Sequence, residues 1–275
     1  MKTSNVVVSV IVTTKNPKPN YLRRAVESIL SQTYRNFELL ICDDGSDYLL
    51  ENIVNPYIEK SPQKIELIRN KRSLGSSISR NRLIEKSKGK YLAIMDDDDF
   101  STANRLQMQV NYLEANKNVS FVGSQVKVIS EIGSEKVRYS KLVSKPQRKE
   151  YMWNSPYINP SVMFRKKDVL SVGGFPTDKW ARHRAEDYDL FLRLYEKGFI
   201  GINLDTPLLV YTESTEGMRK KRKYKYRFEE LMIRKRNFLR MNIKWWEWGY
   251  IFKPIIAGLI PVKILYILHS RGGRS

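Results

Sequence analysis

Tyr91-Leu92-Ala93-Ile94-Met95-Asp96-Asp97-Asp98-Asp99 is an apolar run that ends in four consecutive carboxylates. Residues that prefer burial, entering a block of like charge, predict a buried strand with an acidic mouth. Adjacent anions repel one another and cannot all be buried without a counter-charge. Hard oxygen ligands of this kind suit Mg²⁺ or Mn²⁺, with a metal-bound diphosphate completing the shell. The competing reading is a helix cap at Asp98 or Asp99, with the helix running through Arg105-Leu106-Gln107-Met108 and the other acids solvated.

Upstream, the pattern of an apolar run ending in polar groups recurs. Residues 6–12 are β-branched and apolar nearly throughout and break at Thr13-Thr14; residues 37–42 run into Asp43-Asp44-Gly45-Ser46. Helical spacing over 21–30, 48–59 and 76–87 separates these strands from one another and from a strand at 65–68. Alternation of this kind predicts an α/β fold with a largely parallel sheet, in which ligands sit outside the carboxyl ends of the strands. One shared site at those ends is the simplest expectation. Downstream, strands are expected at 119–123, 125–129 and 161–164. A basic connector is expected at 145–153, a turn at Gly173-Gly174-Phe175, a helix opening at Glu186-Asp187 and an extended segment over 202–211.

The chain has 275 residues, 41% of them apolar, enough for one large core or a core with an appendage. Its formal charge is +20, and from Arg219 onward 16 Lys or Arg face 3 Glu. Such a surplus invites phosphate-rich partners. The acidic block would repel a nucleic-acid backbone, and no recognised nucleic-acid module is present, so nucleic acid is not an expected partner. The single Cys42 excludes an intrachain disulfide and a multi-cysteine zinc site, and the N-terminus has no signal-peptide pattern, so a cytoplasmic location is expected. Trp245, Trp246 and Trp248 beside basic residues fit a segment lying on an anionic membrane surface; a partner-binding helix pair, including contact with a second copy of the chain, is the other reading of 219–275. Lys253, Pro254, Pro261 and Lys263 make the apolar stretch 251–268 a poor spanning helix.

The phrases "VSVIVTTKN", "AVESILSQTYRNFELLICDDGSD", "GSSISRNRLIEKSKGKYLAIMDDDD", "GGF" and "AEDYDLFLRL", in that order and spacing, resemble a family 2 glycosyltransferase over roughly residues 6–212. The resemblance implies the GT-A nucleotide-diphospho-sugar transferase fold, with a mostly parallel central sheet flanked by helices. Residues 1–100 would form the nucleotide-sugar-binding half and 101–218 the acceptor-binding half, with 219–275 a basic amphipathic helical extension outside the resemblance. It also implies an inverting transfer from a nucleoside-diphosphate sugar, with UDP the favoured nucleotide, to a glycan or lipid-linked glycan, as in capsule or O-antigen synthesis; a place at the inner face of a plasma membrane is expected from the basic tail.

By the same resemblance Thr13, Asp43 and Asp44 approach the nucleoside. Asp96, Asp97 and Asp98 cover the acidic metal motif, Asp98 being the preferred direct ligand and Asp96 a ligand or a ribose contact. Arg80, with Ser79 where the family has alanine, would touch the diphosphate or hold an aspartate. Asp187 would be the catalytic base, with Glu186 its helper or alternative, because displacement at the anomeric carbon needs a carboxylate to take the acceptor's proton. His183 would touch the diphosphate or the metal; Trp153, Trp180 and Asn159 would border the acceptor. Each has a plainer reading: an Asx turn at Asp43, a surface arginine at Arg80, a dipole-complementing first turn at Glu186-Asp187, and core anchoring for the tryptophans. A metal-dependent nucleotidyltransferase would use a similar strand end, and a non-catalytic scaffold would use only the tail.

Overall fold

The computed structural model describes residues 7–130, 137–180, 185–213 and 223–259. Strand β1 (Val8–Thr14) lies between β2 (Phe37–Asp43) and β4 (Tyr91–Asp96), with β3 (Ile65–Arg69) outside β2, all four parallel. Helices α1 (Pro19–Leu30), α2 (Glu51–Lys60) and α3 (Ser76–Lys86) make the crossovers. These strands are apolar along almost their whole length because both faces are covered, as parallel strands require. Register then fixes the site: Thr14 pairs with Asp43, and Thr13 with both Cys42 and Asp96, so the polar ends finish side by side.

The second half is mixed rather than parallel. After β5 (Phe100–Ser101) and α4 (Arg105–Ala115) comes β6 (Val119–Ser130), then β7 (Arg138–Tyr139), α5 (Arg148–Trp153), β8 (Met163–Arg165), α6 (Lys166–Ser171), α7 (Glu186–Glu196) and β9 (Ile200–Glu213). The main sheet order is β3-β2-β1-β4-β8-β6-β9-β5, with β8 antiparallel to both β4 and β6, and β6 parallel to β9. The expected strands at 119–123 and 125–129 are one strand whose register shifts around Gln125. There it faces Pro207, which has no N–H to give the ladder. The Gln125 carbonyl accepts Ser124 Oγ at 2.9 Å, and the Gln125 side chain accepts from Ser140 Oγ at 2.7 Å and Leu142 N at 2.9 Å. The connector expected at 145–153 ends as α5, opened by a Gln147–Glu150 capping box. The cap reading of the acidic block fails, since Asn104 precedes α4 and β5 intervenes.

The compositional break at Arg219 is not a break in packing. Helices α8 (Tyr224–Arg240) and α9 (Gly249–Leu259) place Ile233, Phe238, Met241 and Ile251 in the same buried cluster as Leu190, Leu194 and Tyr151. Asp189 of α7 is fully buried and joins that helix to α8, receiving Arg236 Nη2 at 2.5 Å, Asn237 Nδ2 at 2.8 Å and, from its own helix, Arg193 Nε at 2.6 Å. Pro254 inside α9 cannot donate to the carbonyl four residues back, and Arg234 Nη1 reaches that Tyr250 carbonyl instead, at 3.3 Å. Among the described residues no helix is long and apolar enough to cross a membrane.

Candidate active site

The three polar strand ends meet as expected. Thr14 donates its hydroxyl to Asp97 Oδ2 and its carbonyl accepts Asp44 N at 2.8 Å, while Thr13 sits half-buried between Cys42 and Asp96. Asp43 Oδ1 accepts Ser46 N at 2.8 Å, the tight turn anticipated for this residue, and its Oδ2 faces Arg69 at 3.5 Å. Asp44 is engaged more fully: its two oxygens receive Asn70 Nδ2, Ser73 Oγ, Ser79 Oγ, Leu74 N and Gly75 N at 2.7–2.9 Å. Burial pushes its carboxyl up, but these five bonds outweigh burial and hold it below the ordinary aspartate value. A carboxylate has about four lone-pair sites, so this one is spent on the protein itself. Asp44 therefore shapes the 70–75 loop and the start of α3; a direct contact with the nucleoside is not how its oxygens are used.

The acidic block divides by environment. Asp99 is fully buried, accepts Thr212 N at 2.8 Å through Oδ1 and leaves Oδ2 without a hydrogen-bond partner; burial and the neighbouring Asp96 raise it well above the usual range. Burial also pushes Asp97 up to about 6 against the bond from Thr14. Asp96, Asp97 and Asp98 are all half-buried, and burial raises the Asp96 carboxyl too, against the opposing charge of Arg80. Two arginines supply part of the expected positive charge. Arg105 is buried beneath the block, bonded to the Ile94 carbonyl at 2.8 Å, and burial depresses it to about 10 although Asp99 and Asp96 oppose that shift. Arg80 is the second.

Arg80 is 6% exposed, not a surface residue. It donates Nη1 to Glu186 Oε1 at 2.8 Å and Nη2 to Asp96 Oδ1 at 3.3 Å, and Ser76 Oγ adds a 2.9 Å bond to the same Glu186 oxygen. The next residue, Asn81, brackets the turn before α7: its amide donates to the Phe175 carbonyl and accepts Phe175 N, both at 2.8 Å. Asp187 lies beside Glu186 and receives Tyr188 N at 2.8 Å; burial, then the Glu186 charge, pushes its carboxyl up to about 6. A cavity of about 490 Å³ opens onto Arg80, Asp96, Glu186 and Asp187, with Asn159 and Tyr157 on its far wall.

The two tryptophans are elsewhere. Trp153 is 59% exposed, covered by Lys253 at 3.8 Å and edged by Tyr250, and Trp180 packs against Phe228 of α8. Neither lines this cavity; Trp153 packs against Lys253 and Tyr250 of α9 and Trp180 against α8. His183 lies outside the described residues. Sequence reasoning missed Tyr211 and Glu230, which do line the cavity. Glu230 stands four residues before Arg234 in a basic helix and reads as an ordinary surface pair.

No cluster of three or more His, Cys, Asp or Glu among the described residues forms a metal cage. The donor set instead fits a cation that takes one or two carboxylates and completes its shell with phosphate oxygens and water, as Mg²⁺ does. Asp96 and Asp98 are accessible for that role, and the Asp99 Oδ2 behind them has no hydrogen-bond partner.

The glycosyl transferase family 2 pattern matches residues 9–174. EpsE of Bacillus subtilis (strain 168), named as a glycosyltransferase, is 31% identical over 250 residues, 91% of this chain and 88% of its own length. The Escherichia coli UDP-Glc:alpha-D-GlcNAc-diphosphoundecaprenol beta-1,3-glucosyltransferase WfgD is 31% identical over 144 residues, 50% of this chain and 55% of its own. The crystal structure of S. aureus TarS 1-349 in complex with UDP-GlcNAc superposes with TM-score 0.65 at 18% identity, covering 82% of this chain and 65% of that one. That likeness is one of fold, and the fold is GT-A, with its central sheet mixed in the second half. The alternation of strands and helices, the strand-end site and the match over more than half the chain agree, and the protein belongs to glycosyl transferase family 2.

Proposed function

We propose that the protein transfers one sugar from a nucleoside-diphosphate donor, UDP-linked by preference, to a hydroxyl of a lipid-linked glycan in cell-surface polysaccharide synthesis, with inversion at the anomeric carbon. The observation that carries this reading is the Arg80 bridge, which draws the acidic strand end and the Glu186-Asp187 helix to one cavity. Asp187 takes the proton of the attacking hydroxyl, its raised pKa matching a base that works near neutrality. Glu186, held by Arg80 and Ser76, keeps the helix start in place. Asp96 and Asp98 hold the cation, which when bound offsets the charge of the departing diphosphate. Asp43 and Thr13 border the nucleoside, with Asp44 acting through the loop it organises. Asn159 borders the acceptor.

The printed names of the E. coli relatives, which specify UDP-Glc and a diphosphoundecaprenol acceptor, support the donor and acceptor classes. The exposed Trp245, Trp246 and Phe252 support attachment at the anionic membrane face where such an acceptor resides. The test is a panel of nucleotide sugars with and without Mn²⁺ or Mg²⁺, read by calorimetry and by slow donor hydrolysis, alongside Asp98→Ala. Metal-dependent binding of one sugar nucleotide, weakened by the substitution, is the expected result. Folded protein that binds no sugar nucleotide but binds nucleoside triphosphates would replace this reading with nucleotidyl transfer.

A further inference from the structure

The family pattern ends at residue 174, yet the cavity beside Asp187 is closed by residues later in the chain, Tyr211 from β9 and Glu230 from α8. Glu230 is fixed in place: its Oε1 accepts Arg234 Nε at 2.9 Å, and its side chain is 17% exposed. Arg234 is buried and also donates to the carbonyls of Met152 at 2.8 Å and Trp153 at 3.3 Å, immediately before Asn154 and Ser155 of the facing wall. One guanidinium thus holds both the carboxylate and the chain opposite it. On that wall Asn159 is 5% exposed, and its Oδ1 is buried without a hydrogen-bond partner.

The charges around this space are lopsided. Among the described residues, Asp96, Glu186, Asp187 and Glu230 face it, against Arg80, whose guanidinium is shared between two of them, and Arg234, which pairs with Glu230 from behind, so carboxylates outnumber cations four to two. An incoming ring that is uncharged meets hydroxyl acceptors on every side. A ring carrying its own carboxylate meets a negative field in a partly desolvated space.

Resting on the transferase reading above, we infer that this wall selects acceptors whose terminal sugar is uncharged. Glu230 sets the discrimination against acidic sugars. The specificity element therefore lies on α8, outside the stretch that carries the family pattern.

The experiment compares initial transfer rates to two synthetic glycosides with the same lipid-like aglycone, a neutral pyranoside and the matching uronic acid, for the wild type and Glu230→Gln. Glutamine can keep the bond to Arg234 while losing the charge. Wild type is expected to favour the neutral glycoside by about tenfold or more, and Glu230→Gln to shrink that ratio severalfold, chiefly through KM of the uronic acid. A wild-type ratio near one, a ratio unchanged in a folded Glu230→Gln, or transfer to neither glycoside while donor is still hydrolysed would overturn the inference. Should the variant not fold, the wild-type ratio is followed with salt: screening must narrow it, and a salt-independent ratio counts against the idea. Donor binding and hydrolysis without acceptor report on the transferase reading separately, so the two can fail independently.

Discussion

Arg80 and Glu186 stand 106 positions apart in the chain and meet at 2.8 Å, and the same guanidinium reaches Asp96. This contact joins the parallel half of the sheet, through α3 and the end of β4, to the start of α7, which carries Glu186 and Asp187. Removing it in Arg80→Ala leaves two poorly solvated carboxylates without their cation, a change that typically costs about 3–5 kcal/mol. Urea denaturation should show that loss, with Arg80→Lys intermediate because lysine keeps the charge without the planar fork.

Asp187 is raised to about 6 by burial and by Glu186, so at pH 5 it is mostly protonated and cannot accept a proton. Transfer should rise as pH passes through about 6 and then level. Asp187→Asn should cost about a thousandfold in kcat and abolish that rising limb, while donor binding persists. The stability effect has the opposite sign. A folded pKa above the unfolded value means Asp187 favours folding below about pH 4 and loses that contribution as pH climbs to about 6.

Asp189 binds three partners while fully buried, two of them arginines. Asp189→Ala should lower stability by about 3 kcal/mol or more, since Arg193 and Arg236 lose their counter-charge. Hydrogen exchange should then quicken along Tyr224–Arg240 before it does in β1 or β2.

Gly174 has φ +72°, and a Cβ there would sit 2.6 Å from Asn81 Oδ1. Gly174→Ala should cost about 1–3 kcal/mol from the strained backbone and further from the clash. Adding Asn81→Ala should relieve only the clash, so thermal melts of the pair should be non-additive.

Trp245 and Trp246 are 80% and 59% exposed beside Lys244. Replacing both by alanine should sharply reduce co-sedimentation with anionic vesicles and leave the melting temperature unchanged. Undiminished co-sedimentation would remove these residues from membrane attachment.

The parallel half of the fold and its polar strand ends were legible because an apolar run entering carboxylates is a local signal, visible without partners. Arg80's position in the chain pointed to the acidic block, but only the fold shows that it also reaches Glu186. The tryptophans misled because an indole reads alike as a sugar platform and as an anchor. What decides is the neighbour, Lys253 for Trp153 and Phe228 for Trp180, and neither is near in sequence. Asp44 misled for a related reason: its five donors come mostly from the 70–75 loop, which carries no pattern of its own. In the second half the strands themselves were legible near 119–129, 161–164 and 202–211, but their order and direction were not, because β8 is only three residues long and pairs antiparallel between β4 and β6, far from both in sequence.

Arg234 ties Glu230 to the carbonyls ahead of Asn154 and also caps the carbonyl that Pro254 leaves open in α9. The cavity wall that carries Glu230 and the seating of the last helices are consequently inherited as one unit. A chimera that grafts another enzyme's C-terminal segment after β9 would replace that wall beside its own α7. It would succeed only if the donor segment brought its own equivalents of Arg234, Arg236 and Asn237.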